Sequence, residues 1–303
     1  MLEKTPHKIA PKEIVNALVT LYHQGKFEDV LSRSSHLIQQ YPNTPVLHNI
    51  VGAISFEQGE KEKAIKHFEK VIALQPHHPH AYNNLGAALI DQQQYQEAKV
   101  HLEKAIALKP DYAEAYSNLG NVHKELEEYE NAIKQYEKAI ELNPHNYETM
   151  NNLGVILINL EKNEEAKKVL INTIKINPNC AETYYNLGNL YLKINEYESA
   201  LSEYQKAIKF HPSYYEAYNN LGMVLAELEK NEEAKEILFA TIKLNPDFAE
   251  TYYNLGNVYS KTQEYKLSIL QYEKAIALKP DYAEAYNNLG NVLKELEEYE
   301  NAI

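Results

Sequence analysis

The sequence has 303 residues, of which 44 % are apolar, and a formal net charge of -13 at pH 7. Such an acidic chain lacks the clustered cations that a nucleic-acid backbone or an anionic membrane surface attracts. Its single cysteine, Cys180, excludes an intrachain disulfide, no apolar run approaches the length of a bilayer span, and the residues after Met1 do not resemble a signal peptide. We therefore expect a soluble, cytoplasmic protein that binds neither nucleic acid nor membrane.

The chain is built from one unit that returns every 34 residues. Asn-Leu-Gly recurs at this step, ending at Gly86, Gly120, Gly154, Gly188, Gly222, Gly256 and Gly290. Prolines keep the same interval, at Pro42, Pro76, Pro110, Pro144, Pro178, Pro212, Pro246 and Pro280. A fixed period of this length without insertion or deletion predicts a stacked array of one supersecondary unit.

Taken in order, the chain begins with a polar leader at residues 1–10 and a degenerate N-terminal repeat at 11–44. Seven full units follow at 45–282, and an incomplete unit occupies 283–303. The sequence stops one turn into the expected second helix of that last unit, whereas natural arrays usually close with a solvating helix. We therefore expect a truncated chain, or one that continues beyond Ile303.

Each unit carries two helical patterns. In 113–146, apolar residues recur at helical spacing first around Leu119 and Val122 and again around Ile133 and Tyr136. An acidic or polar residue followed three positions later by glutamate predicts a capping box at the start of the first helix, at Asp111 with Glu114, Asn179 with Glu182, Ser213 with Glu216 and Asp247 with Glu250. We assign these glutamates to capping and not to ligand binding.

Small residues indicate where the two helices of a unit approach each other. Gly120 on the first helix and Ala132 on the second lack bulk, and the same pair recurs in the other units. A glycine inside a helix costs about 1 kcal/mol relative to alanine, so its recurrence needs a packing reason.

These motifs together resemble the tetratricopeptide repeat over residues 11–303, with tyrosine where that family often has tryptophan. The resemblance implies an all-α solenoid, a right-handed superhelix of 34-residue helix-turn-helix units whose first helices line a concave groove. Units two steps apart are the most alike, and residues 283–303 copy 113–133 except at Asn287 and Leu293. This similarity indicates recent duplication or engineering.

No catalytic constellation is present: the sequence has no phosphate-binding glycine loop, nucleophile elbow or metal-protease motif. His77, His78 and His80 share one turn, and an exposed turn is a better explanation of them than a metal site. We expect no enzyme activity and no cofactor.

The candidate binding residues are the asparagines before each Leu-Gly, which we call the ladder: Asn84, Asn118, Asn152, Asn186, Asn220, Asn254 and Asn288. Asparagine is a mediocre helix former, so helix stability does not explain its recurrence. A carboxamide has a donor and an acceptor, as a peptide bond does, so a row of them could hold an extended chain of any sequence. The row resembles the asparagine ladder in the repeats of O-linked N-acetylglucosamine transferases. A second row beside it comprises Asn121, Asn189, Asn257 and Asn291, with Tyr185 and Tyr253.

The asparagines could instead bond to the first helix of the neighbouring unit and stabilise the stack, or be copied by duplication without a role. Binding of a C-terminal carboxylate is disfavoured because no cation stands beside the ladder at positions 83, 117, 151, 185, 219, 253 and 287.

Three functions follow from these features. The chain could be a protein-interaction scaffold that takes an extended peptide in its groove. It could instead be the recruitment arm of a larger glycosyltransferase or sulfotransferase. A third possibility is head-to-tail self-association through the uncovered apolar residues of the last unit.

Overall fold

The computed structural model describes residues 9–302, with side chains to Glu297. Within this range the chain forms seventeen helices and no strand, which confirms the predicted all-α helical repeat. The helices are α1 Lys12–His23, α2 Phe27–Gln40, α3 Pro45–Glu57, α4 Lys61–Leu74, α5 Pro79–Asp91, α6 Tyr95–Leu108, α7 Ala113–Glu125, α8 Tyr129–Leu142, α9 Tyr147–Asn159, α10 Asn163–Ile176, α11 Ala181–Lys193, α12 Tyr197–Phe210, α13 Tyr215–Glu227, α14 Asn231–Leu244, α15 Ala249–Lys261, α16 Tyr265–Leu278 and α17 Ala283–Ala302. No described helix has the length and apolar content of a membrane span.

The chain divides into two compact units, Met1–Ile156 and Leu157–Ile303, with the boundary inside α9. Inside each unit an odd-numbered helix packs against the even-numbered helix that follows it, and that even helix packs against the next odd one. Neighbouring odd helices also touch, as α5 touches α7 and α13 touches α15. The first unit buries Phe68, Leu85, Leu102 and Leu119, and the second buries Tyr204, Leu221, Leu238 and Leu255.

At the chain start, residues 1–8 of the expected leader lie outside the described residues. Ala10 is buried, and its backbone N–H donates to Thr44 Oγ1 at 2.9 Å. Helix α1 then begins at Lys12, after Pro11.

The recurrent glycines mark close helix approaches, but their partner differs from the predicted alanine. A Cβ built on Gly120 would lie 2.5 Å from Cδ1 of Tyr136, one turn beyond Ala132 on α8. Ala132 is itself fully buried. The same approach brings Gly188 against Tyr204 and Gly86 against Leu102, so the glycine makes room for a large side chain of the second helix.

The predicted capping boxes are wrong. Helix α7 has Tyr112 as its N-cap residue and receives no side-chain capping bond; α11, α13 and α15 likewise lack one. Asp111 lies one residue too early, and the N–H of Ala115 donates to the backbone carbonyl of Tyr112 at 3.0 Å. The glutamates that sequence reasoning assigned to caps therefore need another explanation.

Tight turns join the helices of a pair and place one residue in the left-handed region. Glycine takes this position in the first two turns, and Gln93, Glu127, Glu161, Asn195, Glu229 and Gln263 take it later with φ near 60°. In the last unit the predicted second helix does not form separately, because α17 runs without a break from Ala283 to Ala302.

Candidate peptide-binding face

All seven ladder asparagines lie in odd-numbered helices, from α5 to α17. Asn186 and Asn254 are only 6 % and 7 % exposed, whereas the other five are partly buried. We call the surface that carries them, within each of the two units, the ladder face.

Most ladder side chains donate a hydrogen bond to the preceding odd helix. In one arrangement the acceptor is another asparagine: Asn118 Nδ2 donates to Asn83 Oδ1, and Asn254 Nδ2 donates to Asn219 Oδ1, both at 3.0 Å. Asn84 makes the corresponding longer contact of 3.4 Å with Asn49 Oδ1.

In the second arrangement the acceptor belongs to the second asparagine row and also receives a tyrosine. Asn220 Nδ2 donates to Asn189 Oδ1 at 3.0 Å, and Tyr204 OH donates to the same oxygen at 2.7 Å. This trio recurs as Asn152, Asn121 and Tyr136, and as Asn288, Asn257 and Tyr272. Asn121, Asn189 and Asn257 therefore join repeats, and Asn291 is exposed.

These bonds match the alternative in which ladder residues stabilise the stack, but they use only part of each carboxamide. Among the described residues, no hydrogen bond reaches Oδ1 of Asn118, Asn254 or Asn288. Asn186 differs, since its buried Nδ2 has no hydrogen-bond partner within the described chain. The ladder thus combines a structural donor with an unused acceptor in several repeats.

The two predicted tyrosines stand at the edge of the ladder face. Tyr185 packs on Tyr214 with ring centroids 4.9 Å apart, and Tyr253 packs on Tyr282 at 5.0 Å. The hydroxyl oxygens also accept from ladder residues, Tyr185 from Asn220 at 3.4 Å and Tyr253 from Asn288 at 3.1 Å. Tyr214 and Tyr282 were not predicted from the sequence. Each directly precedes an odd helix, and Tyr112 stands at the same position of an earlier unit, so this recurrence could have indicated them.

An open cavity of about 310 Å³ lies on the ladder face between α15, α16 and α17. Its lining includes Asn257, Asn288 and Asn291, together with Ser260 and Tyr272. Lys261, Val292 and Glu295 complete the lining. The cavity is therefore mostly polar, and Asn288 Oδ1 and the exposed Asn291 carboxamide can bond to a peptide backbone there.

The described residues contain no group of three or more His, Cys, Asp or Glu side chains that could hold a metal ion. In the histidine turn, His78 Nδ1 accepts from the N–H of Ala81, and His80 Nδ1 lies 2.8 Å from Tyr112 OH. One ring nitrogen each of His78 and His80 is therefore engaged in a contact within the protein.

Sequence models of the tetratricopeptide repeat match much of the chain. One, described as TPR repeat, matches residues 52–93, 88–127, 188–229 and 261–297, more than half of the sequence. Others, described as tetratricopeptide repeat, match 113–146, 135–168 and 215–248. The chain belongs to the tetratricopeptide repeat family, a non-catalytic type of scaffold for protein–protein interaction.

Solved structures of repeat proteins share this fold. The APC/C hetero-tetramer Cut9-Hcn1 aligns with a TM-score of 0.69 and 19 % identity over 93 % of this chain and 56 % of that one. This chain thus spans little more than half of that relative. Pseudomonas aeruginosa pilF aligns with a TM-score of 0.63 and 19 % identity, over 72 % of this chain and 97 % of that chain.

A third solved structure is YrrB, described as a TPR protein with an unusual peptide-binding site. It aligns with a TM-score of 0.50 and 26 % identity, over 61 % of this chain and 96 % of its own. No curated protein matches the chain in sequence.

Proposed function

We propose that this scaffold holds an extended segment of a partner protein along its ladder face, through the ladder asparagines. The observation that carries the proposal is the divided use of the carboxamide. In Asn118, Asn254 and Asn288 the nitrogen donates to the neighbouring repeat, which fixes the side chain, while the oxygen accepts no bond within the described chain. A fixed acceptor row can receive backbone N–H groups without reading the partner's sequence.

The peptide chemistry is supported by two further observations. The cavity beside α17 places Asn257, Asn288 and Asn291 around one open space. YrrB, which is 26 % identical over 61 % of this chain, is described as having a peptide-binding site. Both favour a peptide over a small molecule as the ligand of this face.

The test compares stability and binding in a ladder variant. We would replace Asn118, Asn254 and Asn288 with alanine and measure binding to an unbiased library of peptides, alongside thermal unfolding. Asn131 and Asn172 lie exposed on even helices, so their double alanine variant is a matched control. We expect the wild type and the control to bind, and the ladder variant to lose binding at a temperature where it is still folded.

The opposite result would mean that the ladder asparagines stabilise the fold and do not bind the partner. If the ladder variant unfolds at a lower temperature but binds as the wild type does, the asparagines join repeats and the partner binds elsewhere.

Self-association is a second candidate, favoured by an exposed face of α17. Tyr286 and Leu293 are 52 % and 48 % exposed, and Gly290 has no atom within 4 Å of a built Cβ. Its counterpart Gly120 receives a helix at the same position. A second copy docking there would give a sedimentation mass that rises with concentration and is restored to the monomer by Leu293→Glu. A constant monomer mass in the wild type would rule this candidate out.

A further inference from the structure

Three loops of the molecule place a tyrosine against glutamates at the edge of the ladder face. The tyrosines are Tyr112, Tyr214 and Tyr282. Each is the fourth residue of a loop whose second residue is proline and whose first residue is Lys109, His211 or Lys279, respectively. A glutamate stands two residues after each tyrosine. The three loops therefore share one pattern, with a lysine in two of them and a histidine in the third.

The Tyr282 loop holds its own ammonium group. Lys279 Nζ lies 4.6 Å from the ring centroid of Tyr282 and 3.5 Å from Glu250 Oε1. Tyr253 packs against the same ring at 5.0 Å. In the Tyr112 loop, Lys109 Nζ lies 4.8 Å from the ring centroid. Aromatic faces and carboxylates both attract an ammonium ion. In these two loops the position beside the tyrosine ring therefore accommodates a lysine ammonium group.

The Tyr214 loop has the same surroundings without the lysine. Tyr185 packs on Tyr214 at 4.9 Å, as Tyr253 does on Tyr282. Glu182 and Glu216 stand at the positions that Glu250 and Glu284 occupy in the Tyr282 loop, 68 residues later. Burial first, and then Tyr185 and these two carboxylates, raises the pKa of Tyr214. We call Tyr185, Tyr214, Glu182 and Glu216 the Tyr214 cluster.

His211 stands at the position of the missing lysine. The ring of His211 lies 5.2 Å from that of Tyr214, and its Nε2 is 3.1 Å from Ser213 Oγ. No lysine or arginine of the described chain forms an ion pair with Glu182 or Glu216, although Glu250 has one. The negative charge at this position is therefore not balanced as it is at Tyr282.

We propose that the Tyr214 cluster binds a lysine or arginine side chain of the partner's extended segment. The proposal rests on the proposed function, because the ladder is what brings such a segment alongside. The partner's cation takes the place that Lys279 takes in the Tyr282 loop, against the Tyr214 ring and beside Glu182, the counterpart of Glu250. The partner is thereby narrowed to extended segments that carry a basic residue.

The test uses capped, unstructured peptides of about twelve residues that differ only at the central position, which is lysine, arginine or glutamine. Binding to the wild type is measured by fluorescence anisotropy. We expect the lysine and arginine peptides to bind about five- to tenfold more tightly than the glutamine peptide. The variant His211→Lys supplies an internal ammonium, as Lys279 does, and should bring that ratio close to one while leaving the affinity for the glutamine peptide unchanged.

The variant is a fair control for folding, because lysine already occupies this position in two loops of the same chain. Glu182→Gln with Glu216→Gln should also remove the preference. A wild-type ratio of one, failure of the basic peptides to bind, or a preference that persists in His211→Lys would overturn the inference.

The ladder variant separates this inference from the proposed function. Loss of all peptide binding in that variant, without any preference for basic peptides in the wild type, leaves the ladder function standing and the inference wrong. A preference for basic peptides that the ladder variant retains supports the cluster and contradicts the ladder.

Discussion

The same ten residues, Lys-Glu-Leu-Glu-Glu-Tyr-Glu-Asn-Ala-Ile, occur at 124–133 and at 294–303, and they adopt two conformations. In the first copy α7 ends at Glu125, Glu127 takes φ 58°, and α8 begins at Tyr129. In the second copy the helix continues through the corresponding positions to Ala302. Local sequence therefore does not determine the turn.

Tertiary contacts distinguish the two regions. In the first copy α8 continues to Leu142 and packs Tyr136 on Gly120. Glu128 also receives His123 Nδ1 at 2.6 Å and Lys99 Nζ at 3.2 Å. Leu293 and Ile269 stand at the positions of His123 and Lys99, and no atom of the described chain lies within 4 Å of a Cβ built on Gly290. The turn forms where a second helix is held against the first.

The largest effect should come from adding a methyl group at the equivalent glycines. Gly120→Ala places its Cβ 2.5 Å from the fully buried Tyr136 ring, so we expect a loss of about 1–3 kcal/mol. Gly290→Ala meets no atom within 4 Å and should gain up to about 1 kcal/mol from helix propensity. Hydrogen exchange resolves the two sites, because a repeat array need not unfold in two states. Changes of the same sign in the local stability at both sites would contradict this explanation.

A smaller effect of opposite sign is expected seven residues later. Glu127→Gly relieves a left-handed conformation and should stabilise the first copy by about 1 kcal/mol. Glu297→Gly puts glycine inside α17 and should destabilise that helix by about the same amount. Local amide exchange measures both, and stabilisation by glycine at residue 297 would mean that a turn forms there after all.

The smallest effect is a dependence of the first turn on pH. Hydrogen bonds from His123, Lys99 and Asn131 hold the pKa of the Glu128 carboxyl below its ordinary value. Their contribution is therefore present above the ordinary glutamate pKa and is lost as the pH falls through the lowered one. We expect amide chemical shifts at 126–128 to change in that acid range, and Glu128→Gln to abolish the change. An equal change in the Gln variant would assign it to other groups.

Much of the fold could be predicted because the period of 34 residues and the glycine pattern depend on packing that repeats in every unit. The capping boxes failed because the helix start is set by a backbone turn at Tyr112, which side-chain spacing does not reveal. The continuous α17 was not predicted for a related reason. Residues 294–303 have the same sequence as the turn region 124–133, and only the residues packed around them differ.

The candidate site was predictable in part. The ladder positions followed from their period, but their bonds to the preceding helix depend on the distance between odd helices. The Tyr214 cluster was hidden because its glutamates were assigned to caps. Only the structure shows Lys279 against Tyr282 and Glu250, and hence what His211 replaces.

The most direct test of the central claim, that the ladder face binds an extended peptide, is an NMR titration that follows the side-chain amide signals of asparagine. The lysine-centred peptide is added to labelled protein, with Asn131 and Asn172 on even helices as internal references. We expect shifts at the ladder residues, among them Asn186, Asn220 and Asn254, and none at the two references. Shifts confined to even helices, with the ladder signals unmoved, would contradict it.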